Sequence, residues 1–456
     1  MIDIVALLQC THPYLTATTL RQLSRIMVAM LAMSGRITML GISRWAGKGG
    51  SYRTVQRFFY TVIPWAMVFW AFFRQQILNP DDVYLMAGDE CIVTKSGHKT
   101  HGLDRFFSSL YGKPVPGLSF FVLSLISTQQ RRSYPTMVEH MVRTEAEKAA
   151  TQAKTRKKTR KSKQKAKKGK PGRLKGSKNK DKTQVILSPE LQRIQSMLQR
   201  QLTIIGGLIP LRYLVLDGHF GNHPAVHMVW ACGLQVISKL RHDAALYFPY
   251  EGPYAGRGRR CKYGAKLDYA NIPLKYLTRL TVKDNIATCI YQARLLHKEF
   301  AQPLNVVIIV KTNLKTQQRA HVVLFSSDLD LRDEHLIDYY SLRFQIEFNF
   351  RDAKQYWGLE DFMHVQPTAV SNAANLSLFM VNVTHVLMRH FRKGNPHFGV
   401  LDLKAYFRGH KYVVETLKLL PQKPEAILIA EIFDHVSRLG SVHNAEPYAE
   451  PSLNTS

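Results

Sequence analysis

From Lys154 to Lys182 the chain reads KTRKKTRKSKQKAKKGKPGRLKGSKNKDK, with sixteen Lys or Arg against one Asp, a net +15. Charge of one sign at this density repels itself and leaves too little apolar surface to offset the entropy of ordering, so the segment cannot join a core. It lies mid-chain, with long apolar runs on both sides. Whatever folds must therefore bring together residues before and after it and leave it outside as an insertion, expected as a disordered basic loop over 150–185. Half of the protein's charge sits there, since 63 Lys and Arg against 33 Asp and Glu give +30 overall. That excess implies a polyanionic partner, nucleic acid first and an anionic membrane surface second. Salt-sensitive phosphate contacts are assigned to Lys157, Lys158, Arg173 and Lys175.

Within the loop, KPGRLK resembles the minor-groove arm called an AT-hook, but Leu174 stands where that motif has proline. Five cysteines, at 10, 91, 232, 261 and 289, form no CxxC pair, which fits a reducing cytoplasm and gives no zinc pattern. The most apolar run, YTVIPWAMVFWAFF, contains Pro64 and is too short to span a bilayer. No signal peptide is expected, because the first residues lack a basic stretch and carry Asp3. Residues 441–456 are expected to fray.

Between Asp3 and Asp81 there is no acid but there are eight Lys or Arg. TLRQLSRIMVAMLAM predicts a helix ended by Gly35, ITMLGISRWA a second, and SYRTVQRFFYTV a third with Ser51 as N-cap. Two short helices joined by the GKGG turn suit a helix-turn-helix DNA reader over 1–80, with Arg53 and Arg57 as DNA contacts; an ordinary basic helical bundle is the alternative. After Asp81 apolar runs predict strands: VYLMAG before Asp89, LSFFVLSLIS, RYLVL before Asp217, LQVISKL, NVVIIVKT and HVVLFSS. Helices are expected at PELQRIQSMLQRQL, after 332 and over 370–390. Strands and helices mixed in this order mean an α/β domain, placed at 81–440, with a layered sheet.

YYSLRFQIEFNFRDAK, residues 339–354, interleaves charges with large aromatics. Read as one helix, Arg343, Glu347, Arg351 and Lys354 fall within about 80° of one another. Leu342, Ile346, Phe350, Ala353, Trp357 and Tyr339 gather on another arc that can dock on a sheet. A charged stripe is ordinarily a solvated face, with Glu347 paired to Arg343 or Arg351 at four-residue spacing. Asp89 and Asp217 are read as the carboxyl ends of apolar strands, the edge where α/β sheets place catalytic groups. With Glu347 they would offer oxygen ligands to hard cations. Glu90 is the alternative to Asp89 if its strand ends one residue later, and His219 reads as a phosphate contact or nothing.

Tyr340, Arg343, Glu347 and Lys354 fit Y-x2-R-x3-E-x6-K without a gap, which resembles the YREK signature of bacterial insertion-sequence transposases of the DDE class. Lys95-Ser96-Gly97 after Asp89, Asp217-Gly218, and the 130 residues from Asp217 to Glu347 resemble the same group; Cys91 departs from its usual Thr or Ser. The resemblance implies a ribonuclease H-like sheet flanked by helices, with a mostly β insertion at about 240–303. It implies Asp89, Asp217 and Glu347 as catalytic ligands of two Mg²⁺ ions, which Mn²⁺ can replace. Tyr340, Arg343 and Lys354 would contact the cleaved end. It also implies cut-and-paste transposition: hydrolysis at the element's terminus frees a 3′-OH, which then joins target DNA. The partners would be double-stranded DNA, as terminal inverted repeats and target, and a second copy in a synaptic homodimer, in a bacterial cytoplasm close to the nucleoid. The alternatives are a non-catalytic, transposase-derived DNA-binding protein and a ribonuclease H-like nuclease that cuts without joining.

Overall fold

The computed structural model describes residues 3–443 apart from 109–111, 150–183, 255, 257 and 259. The phosphate contacts expected at Lys157, Lys158, Arg173 and Lys175, and the tail from 444, lie outside the described residues.

The acid-poor N-terminal region is helical. α1 (Ile4–Leu8) leads through a 3₁₀ turn to α2 (Ala17–Ala32), followed by α3 (Met39–Trp45), α4 (Tyr52–Tyr60) and α5 (Trp65–Gln76). Hydroxyls at Thr16, Thr38 and Ser51 cap α2, α3 and α4 by accepting from Thr19 N, Gly41 N and Thr54 N. The GKGG turn uses left-handed backbone at Gly47 and Gly49, which glycine adopts without steric cost. The apolar run before residue 76 becomes α5, with Trp65, Val68, Phe69, Trp70, Phe72 and Phe73 all buried. Being apolar almost all round, it behaves as a core helix.

The sheet begins with β1 (Tyr84–Thr94), β2 (Asp104–Ser108), β3 (Lys113–Ser127) and β4 (Arg132–His140). After α6 (Pro189–Ile205) come β5 (Tyr213–Leu216), α7 (His223–Ala231) and β6 (Gln235–Leu240). Strands β7 (Leu246–Pro249), β8 (Tyr263–Lys266), β9 (Leu277–Lys283), β10 (Ile286–His297), β11 (Leu304–Asn313) and β12 (Arg319–Ser326) extend the same sheet. Its order is β2-β3-β1-β5-β6-β12-β11-β10-β7-β8, with β4 also on β3 and β9 on β10. β1, β3 and β4 are antiparallel, whereas β1, β5 and β6 run parallel. Three antiparallel strands followed by two parallel ones, flanked by helices, agree with the expected ribonuclease H-like sheet.

The chain closes with α8 (Asp333–Leu342), α9 (Gln345–Tyr356), α10 (Pro367–Phe391), α11 (Val400–Leu417) and α12 (Ala426–Arg438). α9 and α10 pack against β4, and α9 also reaches β1. α10 is buried along most of its length and joins α4 and α5 to the sheet. α11 holds the N-terminal helices from the other side: Lys404 Nζ donates to Met30 O and Arg408 Nε to Ala32 O. Among the described residues no helix is long and apolar enough to cross a membrane.

Candidate active site

β1 and β5 pair in parallel at Met86 with Leu214, Ala87 with Val215 and Gly88 with Leu216. The next residue on each strand is the acid, Asp89 on β1 and Asp217 just past β5. Continued by one residue, that register brings Asp89 level with Asp217, whose charge adds to the upward shift of the Asp89 carboxyl. Asp217 does end its strand: its side chain accepts from His219 N, starting a 3₁₀ turn, and its carbonyl accepts from Ser238 Oγ at 2.7 Å. Asp89 does not. β1 continues to Thr94, paired with β3 throughout, because Cys91 and Val93 keep the alternation and stay buried. The strand-end reading of Asp89 is therefore corrected to a mid-strand position whose parallel neighbour has stopped.

Glu90 faces the other way, where its carboxylate accepts from Ser119 Oγ. Cys91, where the DDE-type motif usually has a hydroxyl residue, is packed in the core, and burial pushes its thiol up to about 12.

The stretch 339–354 is two helices rather than one. α8 stops at Leu342 and α9 starts at Gln345, with Arg343 and Phe344 between them in helical backbone angles but outside the helical ladder. The apolar arc docks as its spacing predicts: Leu342, Ile346, Phe350, Ala353 and Trp357 are buried and Tyr339 is half-buried. Asn349, on the inner side of α9, donates from Nδ2 to Ser133 Oγ of β4 at 2.9 Å and fixes the register of the helix on the sheet.

Docking puts Arg343 between acids. Its Nη1 donates to Asp89 Oδ2 at 2.7 Å and its Nη2 to Glu347 Oε1 at 3.1 Å, while Nε is buried without an acceptor. The guanidinium side chain is only 13% exposed and lies 5.9 Å from the Tyr340 ring centre. Glu347 thus pairs with Arg343, and Arg351 pairs instead with Asp352 and covers the Phe348 ring.

Burial raises the Asp89 carboxyl to about 6; Arg343 opposes the shift, and the charges of Asp217 and Glu347 add to it. Asp89 therefore feels both of the other acids. Burial also lifts the Tyr340 phenol above its ordinary value, with Arg343 opposing.

Lys354, expected as an exposed phosphate grip, is turned inward. Its Nζ donates to Ile92 O of β1 at 2.7 Å and pairs with Glu360 at 3.1 Å. Lys95 of the K-x-G triplet is a second inward tie, donating to Glu360 O and Phe362 O, and burial lowers it to about 8. Both ammonium groups sew β1 to the turn after α9. Sequence reasoning missed these ties and Asn349; the one signal for Asn349 was a polar side chain within a helix face that must be buried.

Arg53 and Arg57 lie on the exposed face of α4, whose opposite face, Val55, Phe58 and Phe59, packs inward. They are remote in sequence from the acids and share no hydrogen bond with them among the described residues.

Three carboxylates are oxygen donors of the kind Mg²⁺ and Mn²⁺ prefer. One guanidinium for three acids leaves negative charge uncompensated, which adds to the burial that raises the Asp89 carboxyl. In donor type and charge the set fits divalent cations. In the conformation described, however, no three His, Cys, Asp or Glu among the described residues converge closely enough to share an ion.

A family model described as DDE superfamily endonuclease matches residues 10–295. The matched span contains Asp89 and Asp217 and ends before Glu347. No curated protein matches the chain. Since the match takes in more than half of the chain, this protein belongs to the DDE superfamily endonuclease family.

Proposed function

We propose that the protein is a DNA transposase of the insertion-sequence type, cutting its element free and joining it to target DNA. The observation that supports this best is the parallel register of β1 and β5, which ends at the residues just before Asp89 and Asp217, together with the bridge of Arg343 between Asp89 and Glu347. Asp89, Asp217 and Glu347 would hold Mg²⁺, or Mn²⁺ in its place. A bound ion pair would supply activation of water and stabilisation of the leaving oxygen at the scissile phosphate. The chain's own residues would supply position: β1 and β5 carry the two aspartates, α9 carries Glu347, and Arg343 and Tyr340 would contact the phosphates beside the scissile one. Lys354 acts from behind, holding α9 against β1. Arg53, Arg57 and the basic segment 154–182 would supply end binding and non-specific capture of DNA. Two ends must be cut together, so the working assembly is a homodimer on DNA.

The test is a strand-transfer assay with Mg²⁺, using duplexes that carry the repeats flanking the gene and a plasmid target. Cleavage followed by joining is expected. Glu347→Gln should bind ends normally and lose cleavage by a factor of at least about 10³, the scale seen when a catalytic group is removed. Cleavage without joining would reduce the function to that of a nuclease, and binding without cleavage to that of a non-catalytic descendant.

A further inference from the structure

Arg343, between α8 and α9 and only 13% exposed, is anchored by acids on two elements. Its guanidinium bridges a strand acid and a helix acid, Asp89 and Glu347, while its Nε–H is buried with no acceptor. A buried donor without a partner costs about 1–3 kcal/mol, so this arrangement holds the side chain while leaving one of its bonds unmade. A phosphate would satisfy that bond, because two adjacent guanidinium N–H groups match two phosphate oxygens in a fork. The residue also sits at the junction of α8 and α9, where the backbone hydrogen bonds tighten to three-residue spacing, Arg343 N to Tyr340 O and Ile346 N to Arg343 O.

We propose that Arg343 is the resident cation of the carboxylate site: in the DNA-free protein it takes the place of a divalent metal between Asp89 and Glu347, and DNA phosphates draw it away. The inference rests on the reading of these acids as a metal site. A divalent ion and a guanidinium crowded onto the same two carboxylates repel each other strongly in a partly buried pocket. Occupancy is therefore exclusive, and DNA engagement and metal loading become linked, each strengthening the other by the same factor. The consequence is protection: a nuclease so built binds its metal poorly until a phosphate backbone is in place.

The experiment measures Mn²⁺ binding by electron paramagnetic resonance and titration calorimetry on the full chain, with and without a short random-sequence duplex. Wild-type protein is expected to bind Mn²⁺ weakly alone and at least about tenfold more tightly with DNA. Arg343→Gln should bind Mn²⁺ alone about as tightly as wild type does on DNA, and gain little when DNA is added. Asp89→Asn and Glu347→Gln should lose binding in either state. Should Arg343→Gln not fold, Arg343→Lys is read instead: lysine keeps the charge but cannot fork across both acids, so DNA-free binding should still tighten severalfold. Wild type that gains Mn²⁺ affinity on DNA while the arginine variants bind no tighter than wild type alone would overturn the latch and leave the metal site standing. Absence of Mn²⁺ binding in every protein, with or without DNA, would overturn the metal site and the latch together.

Discussion

At the scale of single residues, Arg343 and Lys354 are both turned toward the protein's own groups. Arg343, expected beside a phosphate, bridges Asp89 and Glu347, and Lys354, expected outward on the same stripe, turns inward. Its ammonium satisfies the Ile92 carbonyl on β1 and pairs with Glu360, so the side chain spans two elements. Lys354→Ala should leave that carbonyl without its partner and lower stability by about 1–3 kcal/mol. Thermal unfolding at neutral pH would show the loss, whereas Lys354→Met, which keeps the stem, should recover part of the packing but not the bond. An alanine variant as stable as wild type, with DNA-end binding reduced, would restore the exposed role instead. Nothing in one sequence tells an inward lysine from an outward one, since the long stem can carry its charge either way. Asp89 was read as ending its strand because the apolar run stops there, and only the pairing with β3 carries β1 on to Thr94.

Among elements, helices and strands with strong periodicity were legible, and those set by partners were not. The three helices after residue 17 followed from caps and glycines, and the apolar arc of α9 from its wheel. β4 and β10 escaped because their sequences, RSYPTMVEH and IATCIYQARLLH, break alternation with prolines, polar residues or register shifts that only the neighbouring strands impose. The division between α8 and α9 was also invisible, since Arg343 and Phe344 keep helical angles. α10 carries the best example of an element-scale tie. Asn372, 2% exposed, accepts from Trp65 Nε1 at 2.7 Å and donates to Phe59 O and Thr61 O at the end of α4. One amide side chain thereby closes α4, orients α5 and fastens both to the core. Asn372→Leu is close in volume but leaves a buried indole N–H and two carbonyls unpaired, so a loss of at least about 3 kcal/mol is expected. Limited proteolysis should then cut first between α4 and α5; equal cleavage rates in variant and wild type would show that this amide does not govern the region.

On the scale of the whole molecule, charge and titration decide behaviour more than any one side-chain pair. His364 and His385 are buried, and burial lowers the first to about 4 and the second well below the ordinary value, with Lys95 and Arg132 adding their charge. Above about pH 6.5 both are neutral folded or unfolded and contribute no pH dependence. Below it only the unfolded chain takes up protons, so stability should fall as pH drops from 6.5 toward 4, by up to about 3 kcal/mol for His364. Unfolding temperatures across that window, flatter in His364→Gln, would check the sign. DNA affinity should follow the charge that sequence alone locates. Removing 154–182 takes away +15 of the +30 but none of the core apolar runs. Every phosphate that the protein ceases to neutralise lowers the slope of log affinity against log salt by about 0.9, so deleting a segment with sixteen cations should change that slope by several units. Binding of random duplex by the shortened protein should weaken at least about tenfold at low salt, with the unfolding temperature unchanged. If the slope stays the same, capture must run through other surfaces, with Arg53 and Arg57 on α4 first among them; a lowered unfolding temperature would show that the segment packs after all.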